Sequence, residues 1–120
     1  MNKIYNFFKN ELDRRKKERL KFFVFKARDY QKNIIDTFKS GLYNFFIICW
    51  ARRLGKDLLA FSLACEECLN KDNTVVYYMF PTMKQGKMMI LDGFTNERKR
   101  IIEEVIDKEC LLLPEKSGKL

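Results

Sequence analysis

Apolar positions at four-residue spacing open the chain. Ile4, Phe8 and Leu12 predict a helix over residues 2–20, whose second half is dense in charge: Arg14, Arg15, Lys16, Lys17 and Arg19. Phe22–Phe25 reads as a short extended segment. Asp29 fits the N-cap of a second helix, Tyr30–Lys39, with Ile34, Ile35 and Phe38 on one face and Gly41 at C′. The helical period then breaks twice. Phe45–Trp50 and Thr74–Phe80 are continuously apolar, β-branched and aromatic, the pattern of strands covered on both faces by helices. Between them, Lys56–Asn70 is helical and Asp72-Asn73 is turn chemistry. A strand, a helix and a second strand in that order predict a right-handed parallel crossover. Pro81-Thr82 ends the second strand, and Lys84–Leu91 is a further helix interrupted at Gly93. Asn96–Lys108 is expected to be helical, with Ile101, Ile102, Val105 and Ile106 inward and a Glu104–Lys108 pair at i, i+4. The tail, Pro114–Leu120, is polar and turn-like.

At 120 residues the chain holds one domain at most, and eleven Phe supply material for a core. The formal charge of +8 suits a polyanionic partner, although a charged helix such as 2–20 also has a plain reading as a solvated face. Histidine is absent, which excludes His-based acid–base catalysis and His metal ligands. The four cysteines are Cys49, Cys65, Cys68 and Cys110. Cys65-Glu66-Glu67-Cys68 is a C-x-x-C, but no second such pair accompanies it. It falls within a helical pattern, so these cysteines read as small core residues rather than a zinc or redox site. No apolar run approaches the ~20 residues of a membrane span.

The chemistry concentrates where the first apolar run breaks, at Ala51-Arg52-Arg53-Leu54-Gly55-Lys56-Asp57. A strand, a short basic loop, Gly-Lys and a helix make the build of a phosphate-binding P-loop. A helix N-terminus presents unpaired N–H groups and partial positive charge. Gly55 permits close backbone approach, and Lys56 supplies a mobile charge for phosphate. Two positions depart from the general pattern: Trp50 stands at the first glycine, and Asp57 replaces the magnesium-binding hydroxyl. The fold class that follows is α/β, a partial P-loop NTPase fold with a parallel sheet flanked by helices and preceded by an N-terminal helix. Residues 1–26 form a basic helix and linker, and 27–120 the N-terminal part of an ATPase domain.

Three features occur in order: Arg28-Asp29-Tyr30-Gln31, the Arg-Arg-Leu-Gly-Lys loop, and Tyr77–Lys87 with its Pro81-Thr82-x-x-Gln85. Together, over about Ala27–Ile106, they resemble the N-terminal ATPase region of phage terminase large subunits, the motors that package viral DNA. The resemblance implies ATP and Mg²⁺ as cofactors. It sets Tyr30 and Gln31 at the adenine, a base edge that a Gln amide can read. It sets Arg52, Arg53, Leu54, Gly55, Lys56 and Asp57 around the phosphates. Lys56 matches the phosphate-binding lysine and Arg52 the catalytic arginine acting in cis on the γ-phosphate. Arg53 is a second phosphate ligand or a solvent-facing neighbour. Asp57 either holds Mg²⁺, directly or through water, or caps its own helix.

The partners implied are double-stranded viral DNA, a portal protein and a small terminase subunit, for a phage-encoded protein in the host cytoplasm. The Walker B carboxylates and nuclease residues are expected beyond Leu120. Weak nucleotide binding and negligible hydrolysis are therefore expected of these residues alone. Glu103-Glu104 sits in a charged helix rather than at the end of an apolar strand and is not read as Walker B. Two alternatives stay open: a helicase-like P-loop ATPase, and a small basic nucleic-acid-binding protein without a nucleotide site.

Overall fold

The computed structural model describes residues 2–94 and 99–110. Among them the regular elements are helices: α1 (Asn2–Leu20), α2 (Asp29–Lys39), α3 (Lys56–Asn70), α4 (Met83–Ile90), α5 (Ile101–Val105) and a 3₁₀ turn, Lys108–Cys110. The expected α/β class with its parallel sheet does not form. The described residues contain no strand, only two isolated antiparallel bridges, Phe23 with Ile106 and Phe94 with Arg100.

The physical reason lies in pairing. A strand exists when a neighbour takes its N–H and C=O groups. No backbone hydrogen bond joins residues 45–49 or 75–79 to each other or to another described residue. Their apolar continuity predicted cover on both faces, yet burial alternates with period two, as along an extended chain. Phe46, Ile48, Trp50, Tyr78 and Phe80 are half-buried against the helices. Phe45 is 80% exposed, Tyr77 84% and Met79 87%. Cys49 is likewise exposed, not buried as its apolar run implied. A gap between the two segments, lined by Phe46, Ile48, Val76 and Tyr78, has Ala60, Leu63 and Ala64 of α3 in its wall.

The core gathers on α3. Leu59 and Cys65 are buried with Ile102 and Val105 of α5, and the Ser62 hydroxyl returns a 2.7 Å hydrogen bond to the Leu59 carbonyl. The segment after α1 is tied to the segment after α5: Val24 N donates to Val105 O at 3.0 Å and Asp107 N to Phe22 O at 2.9 Å. α1 packs on α3, and an ion pair joins Arg19 to Asp72 beyond the end of α3. Gly41, at φ +71°, follows α2 as expected of C′. The helix expected over Asn96–Lys108 is shorter: α5 spans Ile101–Val105, with 96–98 outside the described residues. Ile102 and Val105 do point inward, but Lys108 pairs with Glu103, at 3.7 Å, rather than with Glu104. The Pro114–Leu120 tail also lies outside the described residues. Among the described residues, no helix is long and apolar enough to cross a membrane.

The charge of α1 is partly neutralised within the helix. Arg14 bonds Glu11 and Glu18, both at 2.6 Å, and Arg15 reaches Glu11 at 3.2 Å. The Arg14 hydrogen bond is the main cause that lowers the Glu11 carboxyl from 4.5 to about 2. A depressed carboxylate contributes stability above its unfolded value and loses it as pH falls through the folded one. The ion pairs of Glu11 with Arg14 and Arg15 should therefore persist at pH 4 and disappear near pH 2. NMR titration of the Glu11 side chain checks this, and a midpoint at the ordinary 4.5 would refute the pairing.

The thiols differ in burial, which should set their reactivity. Burial, with a smaller contribution from Cys68, pushes Cys65 up to about 12, whereas Cys49 and Cys68 are exposed. Thiolate is the reactive form. Iodoacetamide at pH 8 should label Cys49 and Cys68 well before Cys65, as read by peptide mass spectrometry. Equal rates at all three positions would contradict the burial.

Candidate phosphate-binding site

The basic loop joins Trp50 to α3. Two of its residues take left-handed backbone, Arg53 at φ +65° and Gly55 at φ +76°. Such turns redirect successive N–H groups and are the backbone pattern of anion-binding concavities. Gly55 is the N-cap of α3, so it precedes the free N–H groups of the first turn. Only glycine meets both demands at this position. A Cβ here would lie 3.0 Å from the Gln31 amide nitrogen and 3.9 Å from an Arg28 guanidinium nitrogen. Lys56 turns back into the loop and donates to the Trp50 carbonyl at 2.9 Å. One ammonium proton is thereby engaged, and two more can serve a ligand.

The start of α2 clasps this loop. The sequence pointed to Asp29 as the N-cap, but the cap position is Arg28 and Asp29 begins the helix. Gln31 provides the capping contact: its Oε1 accepts from Arg28 N at 2.9 Å. Its Nε2 donates to Gly55 O at 3.3 Å. Gln31 is only 1% exposed, so in this conformation its amide is a strut between α2 and the loop rather than a free base-reading edge. The Tyr30 hydroxyl accepts from Arg28 at 2.8 Å and donates to Leu54 O at 3.0 Å. Its ring meets Trp50 edge-on, with centroids 5.3 Å apart. Tyr30 stays 42% exposed.

A cavity of about 680 Å³ opens beside the loop. Arg28, Arg53, Gly55, Lys56 and Asp57 line one side; Met89, Phe94, Ile101 and Glu104 line another. The resemblance set Arg52 at the γ-phosphate, but Arg52 is exposed and does not line this cavity, whereas Arg53 does. Leu54 does not line the cavity; its side chain is exposed and its carbonyl is held by Tyr30. Asp57 belongs to the first turn of α3, where a carboxylate is favoured by the helix dipole, and it also faces the cavity. Tyr78 donates to Asp57 O at 3.4 Å, which links the second apolar segment to the site. Pro81-Thr82 lies outside the cavity; Thr82 caps α4, its hydroxyl accepting from Gln85 N at 3.3 Å.

Two contributors escaped the reading of the sequence. In the sequence Arg28 stands out only as the first residue of a motif, although a residue three before a capping Gln is placed to meet it. The spacing pairs Glu104 with Lys108 and gives no reason to read Glu103-Glu104 as Walker B, and nothing in it connects Glu104 to residue 56.

Among the described residues, no group of three or more His, Cys, Asp or Glu is placed to hold a metal. Comparison with models of known families, with curated proteins and with solved structures finds no match.

Proposed function

We propose that this chain binds ATP through the loop that opens α3, as the nucleotide-binding part of a terminase-type motor that packages viral DNA. One observation carries the reading. A basic loop with two left-handed residues runs into a helix N-terminus, with Lys56 folded into it, and the Arg28–Gln31 motif grips that same loop. The first and second motifs that suggested the resemblance are thus in direct contact. The loop N–H groups and Lys56 receive the phosphates. Arg53 adds charge from the cavity wall, and the exposed Tyr30 ring flanks the base. Double-stranded DNA, a portal protein and a small terminase subunit are the partners this reading carries.

The residues fit Mg²⁺ as well. A hard cation bound to nucleotide needs one or two protein carboxylates beside the phosphates, and Asp57 faces the cavity. Bound there, Mg²⁺ would neutralise phosphate charge. The reading of α1 as a DNA contact is weaker for its arginines, since Arg14, Arg15 and Arg19 are held by carboxylates.

Titration with a phosphate series tests the proposal. If phosphates supply the binding energy, ATP and ADP should bind detectably and AMP and adenosine much more weakly. Trp50, the one tryptophan, contacts the site and gives a fluorescence signal. Equal affinity for adenosine and ATP would sink the reading.

A further inference from the structure

We infer that the Tyr30 hydroxyl and the Gln31 amide serve the phosphate chain of the ligand and not its base: they are positioning groups that aim the N–H groups of Gly55 and Lys56. The ligand class they serve is a polyphosphate, whatever base it carries. This inference rests on the phosphate-binding reading and assigns that site its orienting side chains.

Consecutive residues of α2 hold consecutive carbonyls of the loop. Tyr30 Oη donates to Leu54 O at 3.0 Å, and Gln31 Nε2 donates to Gly55 O at 3.3 Å. In a planar trans peptide the C=O and N–H groups point opposite ways. Drawing the Leu54 carbonyl to Tyr30 therefore turns Gly55 N–H the other way. Drawing the Gly55 carbonyl to Gln31 does the same for Lys56 N–H. Neither N–H donates to a described residue, and both residues line the cavity. Arg28 steadies the two struts together. Its backbone N donates to Gln31 Oε1 at 2.9 Å, and its guanidinium donates to Tyr30 Oη at 2.8 Å.

The same bonds occupy the groups that a base would need. Gln31 is 1% exposed, does not line the cavity, and has a partner at each end of its amide. Turning that amide to a base edge would give up both bonds and leave buried polar groups unpaired. The Tyr30 hydroxyl is likewise engaged as donor and acceptor. These groups therefore reach the ligand through the loop. Asp29 is the natural contrast. It opens the same helix, but its side chain lies in water and pairs with Lys32 at 2.8 Å, touching no group of the loop.

The test is calorimetric titration of the full chain with ATP, GTP and sodium tripolyphosphate, all in EDTA. Tyr30→Phe keeps the ring and removes only the hydroxyl. Gln31→Met keeps the length of the side chain and removes both amide bonds. Each should weaken binding by about 2–10-fold, the scale of a lost hydrogen bond, and by the same factor for all three ligands. Asp29→Asn should bind all three as wild type does. Thermal melting of Tyr30→Phe should match wild type, because the residue is exposed and the replacement nearly isosteric. Where Gln31→Met does not stay folded, Tyr30→Phe decides alone. Amide NMR supplies a readout that general stability does not move. At equal fractional saturation, tripolyphosphate should shift the Gly55 and Lys56 amides less in Tyr30→Phe than in wild type. A loss confined to ATP makes these groups base readers and overturns the inference. Wild-type affinity in Tyr30→Phe, equal amide shifts in the two proteins, or an equal loss in Asp29→Asn also overturns it. Each of these results leaves the phosphate reading intact. If wild type binds neither ATP nor tripolyphosphate, the two fall together.

Discussion

Lys56→Ala is expected to weaken ATP binding by about 10–100-fold, the scale of a lost charge-assisted hydrogen bond. The ammonium is already drawn into the loop by the Trp50 carbonyl, so little side-chain ordering remains to be done when phosphate arrives. The same titration separates the two loop arginines. Arg53 lines the cavity and Arg52 does not, so Arg53→Ala should weaken binding more than Arg52→Ala. Trp50 fluorescence or calorimetry measures all three variants. If Lys56→Ala binds ATP as wild type does, the loop is a plain basic turn and the proposed function falls. If Arg52→Ala loses as much as Lys56→Ala, the exposed placement of Arg52 does not describe the bound state. The resemblance assigns Arg52 a transition-state role, and this would appear only in turnover. Loss of an arginine of that kind costs roughly 10³–10⁵ in rate.

The exposed apolar face has its own consequence. Phe45, Ile47, Val75, Tyr77 and Met79 are all exposed on the two extended segments, beside backbone groups that lack partners. Unpaired extended backbone flanked by apolar side chains promotes association between chains. The isolated chain should therefore self-associate as concentration rises, as followed by light scattering. A monomer at all soluble concentrations would contradict this.

Local chemistry was readable in the sequence, and pairing was not. α1 and α3 match their expected bounds to the residue, although Ile4, Phe8 and Leu12 of α1 stay exposed, and Gly41 and Gly55 stand where positive φ is required. These features depend on neighbours within a few positions. The Phe45–Trp50 and Thr74–Phe80 runs have strand composition, but a sheet needs partners that composition cannot supply. The result is alternating cover from one side only. The site divides along the same line. The Gly55-Lys56 turn is a local feature and was legible. The clasp from Gln31 to Gly55 joins residues 24 apart, and only the family resemblance associated them. Glu104 enters the cavity through the packing of α5 on α3, which leaves no trace in spacing.

The second large effect concerns stability, and it follows from how few side chains are fully enclosed. Leu59 and Val105 are completely buried, and Cys65 and Ile102 nearly so. Leu59→Ala removes a buried side chain from the helix that supports both α1 and α5. Such truncations cost about 2–5 kcal/mol, and a typical domain has only about 5–15 kcal/mol in total. The variant should therefore unfold at a much lower urea concentration, or lose its cooperative transition. Leu54→Ala serves as the comparison, because the Leu54 side chain is exposed. A surface change of that kind should stay within about 0.5 kcal/mol. Leu59 also follows directly from the loop, its N–H donating to Gly55 O at 2.9 Å. Collapse of the core around Leu59 should consequently reduce ATP binding even though the side chain touches no ligand. Gly55→Ala should show the converse balance. A left-handed alanine costs about 1–2 kcal/mol, less than the Leu59 cavity, but the added methyl presses on the Gln31 amide in the clasp itself. Gly55→Ala should thus lose ATP binding under conditions where it remains folded, whereas Leu59→Ala should lose binding only as it unfolds. Denaturation curves recorded alongside ATP titrations distinguish the two patterns. A Leu59→Ala midpoint equal to wild type would mean that α3 is not the centre of the core.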